Sequence, residues 1–227
     1  MKAMKMMFAA ILLCGTSVSV QAQNDYYETK DEVAVSIGTV TNTQFMNVFS
    51  DLFGVLGEAL ITGVMTGGHY VGTTTYADEK YVPALSAEYF HHVSKVVSVG
   101  GIAAFNGYSR DMYCNWQSSD GSTRKEEKVG KGEKYFATLM PAVKFDWLRK
   151  KNFGLYSKAA VGVTYMFEKE VQDNHGESKK VNDDSKFMVN FHATLLGVEA
   201  GSQKLRGFIE LGVGEQGMMQ AGVRYKF

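Results

Sequence analysis

Beyond its first 22 residues the chain has no uninterrupted apolar run of 18 residues, which excludes a membrane-spanning helix from its body. Cysteine is scarce: Cys14 lies in the N-terminal stretch and Cys114 stands alone, so removal of residues 1–22 would leave no possible intrachain disulfide. Only two prolines and no low-complexity stretch leave little room for a linker, and one domain is expected. Excess charge is missing too. Twenty-four basic residues face 24 acidic ones, and that balance gives no reason to expect a nucleic-acid partner. No glycine-rich phosphate loop is present, and no histidine pair stands at metal-ligand spacing. No cofactor, metal site or catalytic residue is therefore expected, and the chain does not read as an enzyme.

What is present starts at the two ends. Lys2 and Lys5 precede an apolar run from Met6 to Leu13, and Val20-Gln21-Ala22 offers small or modest side chains before a cut. That order is the pattern of an export signal over 1–22, leaving a single domain over 23–227. At the other end Met219, Ala221, Val223, Tyr225 and Phe227 alternate with Gln220, Gly222, Arg224 and Lys226. Successive strand residues face opposite sides, so this segment has one greasy and one polar face. Val223, Tyr225 and the terminal Phe227 resemble the signal that barrel-assembly machinery reads in outer-membrane proteins.

Between the ends, 45% of the residues are hydrophobic and 24 are glycine, spread through short alternating segments. Eight strands are expected near 31–40, 79–91, 96–112, 134–147, 153–169, 186–200, 206–214 and 218–227. In lipid every backbone donor and acceptor must pair within the protein, so a strand-built span must close on itself. The links alternate in length. Short ones lie at 92–95, 148–152 and 201–205, while longer or more polar ones lie at 41–78, 113–133 and 170–185, with a short polar link near Glu215. Short turns on one side and long loops on the other are the pattern of an outer-membrane barrel with periplasmic termini. Phe145, Trp147 and Phe153 fall near the short turns and Tyr135, Tyr165, Phe167 and Phe187 near the long ones, as two aromatic girdles would. The expected fold is all-β: an eight-stranded antiparallel transmembrane β-barrel of the cell outer membrane, with an amphipathic helix in the first long loop.

The segments Leu139–Trp147, Gly154–Lys158 and Gly207–Gly217, followed by the terminal strand, resemble small eight-stranded outer-membrane β-barrel proteins of the OmpX/OmpA-like porin superfamily. The resemblance covers most of 30–227. It rests on strand and turn signatures, and it brings no catalytic residues.

An eight-stranded barrel has an interior that side chains can fill. Alternation puts Glu88, Lys144, Asp146, Lys158, Glu210, Arg224 and also Glu32 on the inner face, so a lumen network of ion pairs is expected. His192 falls between Asn190 and Thr194 on the same face, and could act as a general base only with a serine and a carboxylate nearby. In the first long link Phe45, Val48, Phe49, Leu52, Leu56, Leu60 and Val64 recur at helical spacing over 43–64, with Asn42 or Thr43 as cap. Such a helix could lie at the membrane interface, cover the mouth, or contact a partner. Asp120-Gly121 signals a hairpin turn. The expected role is a structural or surface-interaction barrel contacting outer-membrane lipid, with any extracellular ligand at the long loops. The alternative is a lipid-modifying enzyme or small-solute channel on the same scaffold.

Overall fold

The computed structural model describes residues 29–118, 120–174 and 177–227. The side chains at 43, 46–50 and 172–183 lie outside that description, as do the expected signal at 1–22 with Cys14, and His175. In chain order the elements are β1 (Asp31–Thr39), α1 (Asn42–Met65), β2 (Tyr70–His92), β3 (Val97–Ser118), β4 (Arg124–Arg149), β5 (Phe153–Asn174), β6 (Glu177–Gly201), β7 (Leu205–Gly214) and β8 (Met219–Lys226). Each strand pairs antiparallel with the next, and β1 pairs with β8, so one sheet closes into a ring of eight. The all-β, eight-stranded antiparallel architecture matches the sequence expectation, and α1 occupies the first long link.

The staves are unequal. β1, β7 and β8 have 9, 10 and 8 residues, whereas β2 to β6 run for 22 to 26. Much of what alternation assigns to long loops at 41–78, 113–133 and 170–185 is thus strand, pairing in an extension above the ring. These polar stretches carry no apolar face to betray them, and their pairing is carried by the backbone. The β3–β4 hairpin does turn at Asp120-Gly121, with Gly121 at φ +73°. There the Ser118 and Ser122 hydroxyls and the Ser122 N–H bond the Asp120 carboxylate, and pull its pKa down to about 2.

Above the top of β1, the edge of β2 has no strand partner among the described residues, and α1 takes that place. Thr66 Oγ1 receives the Tyr70 N–H (3.1 Å) and donates to the Tyr70 carbonyl (2.8 Å). Thr62 does the same for Gly72, at 2.9 and 3.1 Å, and Glu58 accepts the Thr74 N–H at 2.6 Å. Four helical residues rise about 6 Å, and two strand residues rise about 6.6 Å, so the two ladders stay in step. An exposed strand edge invites foreign pairing, and here side chains satisfy it. The helix begins not with Asn42 or Thr43 but with Thr41. Thr41 Oγ1 accepts the Gln44 N–H at 3.2 Å and Gln44 Oε1 accepts the Thr41 N–H at 3.0 Å, a reciprocal cap. β1 ends at Thr39 and Val40 turns the chain at φ +58°, which leaves Thr41 extended in the capping position.

Pro141 sits within β4. The β4–β5 ladder pairs Leu139 with Val163 and resumes at Ala142 with Ala160, so the missing proline donor opens a gap of two residues facing β5. The other proline, Pro83, falls where β2 bulges against β3. Two further bulges matter for the interior, at Trp147-Leu148 in β4 and at Leu195-Leu196 in β6.

Candidate functional site

Along every strand of the ring the inward side chains are buried and many are charged. Among the described residues six carboxylates (Glu32, Glu88, Asp146, Glu199, Glu210, Glu215) and seven cations (Arg110, Lys144, Arg149, Lys158, Arg206, Arg224, Lys226) are buried. Arg110 belongs to the mouth, where Asp51 of α1 pairs with it and the ring of Tyr76 lies 3.6 Å from its guanidinium carbon. That leaves six against six. Buried ions are tolerated only when each finds a partner, and the geometry supplies them.

Arg224, on β8, is the hub. Its Nη1 donates to Glu199 Oε2 at 2.8 Å and its Nη2 to Glu88 Oε2 at 3.3 Å. Its Nε lies 3.5 Å from Glu32, and Nη2 lies 3.6 Å from Glu210. Tyr156 and Phe208 flank the guanidinium at 4.5 and 4.7 Å. Phe208 has room because its neighbour is Gly222, where a Cβ would run into the Phe208 ring and the Val35 carbonyl. Lys158 bonds Glu88 and lies 2.8 Å from Glu210, whose other oxygen accepts the Tyr156 hydroxyl at 2.6 Å. Lys144 bonds Glu32 and lies 3.4 Å from Asp146. Glu88, Lys144, Asp146, Lys158, Glu210 and Arg224, all chosen by alternation, thus meet in one cluster with Glu32.

Glu199, Arg149, Arg206 and Lys226 also belong to the cluster: Arg206 and Lys226 keep the phase of Glu210 and Arg224, whereas alternation misses Glu199 and Arg149. Counting in twos from Asn190 sends Glu199 outward. The bulge turns both Leu195 and Leu196 out, so the phase flips and Glu199 enters the lumen to meet Arg206 (2.6 Å) and Lys226. The Trp147-Leu148 bulge flips Arg149 in the same way. Two adjacent leucines in an alternating strand are the signal that could have revealed it. Arg206 also ties two short turns together, donating to the Lys150 and Lys151 carbonyls at 2.9 Å each.

The second miss is the β7–β8 link. Glu215 and Gln216 are fully buried, because this turn folds down into the mouth as a stopper. Glu215 accepts from Asn106 at 2.7 Å and Asn190 at 2.6 Å, while Gln216 donates to Ser86 at 2.9 Å and Glu88 at 2.7 Å. The flanking Gly214 (φ +129°) and Gly217 (φ +102°) make the fold-back possible, since side chains rarely adopt either angle. Gly38 leaves space for it, as a Cβ there would strike the Gln216 carbonyl.

His192 lies in the lumen with Thr194 Oγ1 and Gln220 Nε2 each 3.0 Å from its Nε2. His92 sits at the short-turn end, 2.5 Å from Ser98 Oγ, 3.4 Å from Glu32 and 3.6 Å from Asp146. The Ser98 hydroxyl is fully buried there. Among the described residues no group of three or more His, Cys, Asp or Glu side chains could hold a metal ion.

The outer surface is the reverse of the interior. Val33, Val35, Ile37, Leu139, Val161, Val163, Val189, Ile209 and Leu211 are exposed around the ring, and Val223, Tyr225 and Phe227 point outward in the same belt. Aromatics gather at both rims. Near the short turns lie Tyr89, Phe153, Trp147 (Nε1 bonded to Ser157 Oγ, 2.8 Å) and the stacked pair Tyr225–Phe227. At the far rim Phe105 stacks on Tyr135, and Tyr165 meets Phe167 and Phe187 at 4.3 and 4.7 Å. No helix among the described residues is long and apolar enough to cross a membrane. No family model and no curated protein matches this chain.

Proposed function

We propose that this protein is an integral β-barrel of a Gram-negative outer membrane, exported by residues 1–22, and that its filled lumen gives it a structural or surface-interaction role. One observation carries the reading: charged side chains are buried while a continuous apolar belt is exposed. Soluble monomers rarely expose contiguous apolar patches beyond a few hundred Å², whereas hydrocarbon is a solvent for such a surface. The shortest staves, of 8 to 10 residues, agree with the roughly 9–11 needed to cross a bilayer at a tilt. Outer-membrane lipid is the partner of the belt. Val223, Tyr225 and Phe227 are the residues offered to barrel-assembly machinery. The taller β2–β6 extension and α1 stand beyond the belt, where a scaffold presents recognition surfaces.

The test is folding into phospholipid vesicles with the Trp116→Phe variant, leaving Trp147 as reporter. A folded sample should migrate anomalously on a gel until boiled, and lipids with brominated acyl chains should quench Trp147. Unchanged migration and no quenching would mean a water-soluble protein. A packed lumen further predicts no large, stable open steps in a planar bilayer, and such steps would favour a channel.

A further inference from the structure

Helix α1 carries its amphipathic pattern inside out. Its polar stripe, Asp51, Glu58, Thr62 and Thr66, faces the protein. On the far side Leu52, Leu56, Leu60 and Val64, each four residues from the next, are 53% to 81% exposed, and Ile61 flanks them. Asp51 and Glu58 are the only charged residues of α1, so the outward stripe carries no charge. An apolar stripe of this kind needs a surface to bury it.

Acyl chains do not suit its upper half. Thr62 and Thr66 sit beside Gly72 and Tyr70, more than ten residues along β2 from Ala84, where pairing with β1 stops. The ladder rung at that level reads Thr73, Asn115 and Glu126 on the outer face, which is a water-facing set. A protein surface is the cover that suits this level.

Three glycines narrow it further. A Cβ at Gly54, Gly57 or Gly63 would meet nothing within 4 Å, and none of the three has a positive φ. The isolated fold does not require them, yet each costs about 1 kcal/mol against alanine in a helix interior. Gly57, seven residues before Val64, lies on the exposed side, and a small residue there allows a second helix backbone to come close.

We propose that α1 packs against α1 of a second copy, forming a parallel two-fold dimer above the belt. This rests on the membrane reading, because two barrels in one bilayer stand at equal height with equal tilt. Their stripes then meet in register, and the same patch serves both copies, as two-fold symmetry demands. No charge on the stripe repels its twin.

The experiment is oxidative cross-linking in the intact envelope with copper–phenanthroline, in a Cys114→Ser background. Two thiols give up two electrons and two protons to dissolved oxygen and form one disulfide. Ile61→Cys, with Leu60→Cys as second reporter, should convert most of the chain to a band of twice the mass. Val161→Cys, on the belt at β5, should give at least tenfold less. Adding Leu56→Glu to Ile61→Cys should cut cross-linking at least tenfold, and Gly54→Ala with Gly57→Ala several-fold. Cross-linking at Ile61→Cys and Leu60→Cys no stronger than at Val161→Cys would overturn the dimer, and so would a product of some other mass. Unboiled migration of the same samples separates the two claims. Its loss in every variant counts against the barrel reading; where it is retained, the disulfide yield alone decides for or against the dimer.

Discussion

Inside the ring, Arg224 is fully buried among four carboxylates, and one residue away on either side Val223 and Tyr225 are nearly half exposed. The two faces of the same strand are held by different forces. Inside, each ion depends on particular partners at particular distances, so a change there is felt through what it leaves behind. Outside, on the membrane reading proposed above, side chains need only be compatible with hydrocarbon, so polarity matters and shape hardly does. Stability in the lumen is a property of pairs, and stability on the belt is a property of single positions.

The largest break should come at the hub. Arg224→Leu leaves Glu32, Glu88, Glu199 and Glu210 short of their shared cation, and removing one member of a buried ion group costs about 3–5 kcal/mol. Urea unfolding in vesicles should show that loss or no folded fraction; stability within about 1 kcal/mol of the parent would mean the network is incidental. Next comes the belt: Val163→Arg should cost about 2–4 kcal/mol near the bilayer midplane, while Val163→Leu should be nearly silent. Equal effects of the two would remove the lipid reading of that face.

The pairwise character of the lumen is sharpened by a cycle. Lys158→Met should destabilise strongly, and Glu88→Gln added to it should recover part of the loss, with a coupling of about 0.5–3 kcal/mol. Purely additive values would put the lumen on the same footing as the belt. The smallest effect is expected outside both regions. Thr62→Val leaves the Gly72 N–H without its acceptor and should cost about 1 kcal/mol. It should be seen as faster proteolysis in 66–76 with heat-modifiable migration retained; unchanged proteolysis would mean that the helix does not guard the β2 edge.

How far the sequence can be read follows from the same contrast. Alternation is legible where a strand has a greasy side and keeps its phase, as in Met219–Phe227 and in Phe153–Phe167. It fails where a bulge inserts one residue, and so Glu199 and Arg149 fall outside the lumen on paper although both are plainly charged. It fails again where both strand faces meet water, and so 70–78, 113–118 and 124–133 read as loop. Glu215 and Gln216 are hidden for another reason. A polar pair between glycines is ordinary turn composition, and nothing local says that the turn bends inward. The capping motif Thr41-Asn42-Thr43-Gln44, a threonine followed three residues later by glutamine, becomes legible only once β1 is known to end at Thr39.

The stopper has a bearing on how the molecule is made. Glu215 and Gln216 are carried by the turn joining the last two strands, and their bonding partners lie on β2, β3 and β6. Closing the seam between β8 and β1 and filling the bore therefore draw on one and the same hairpin, so a change at Gly214 or Gly217 would bear on both.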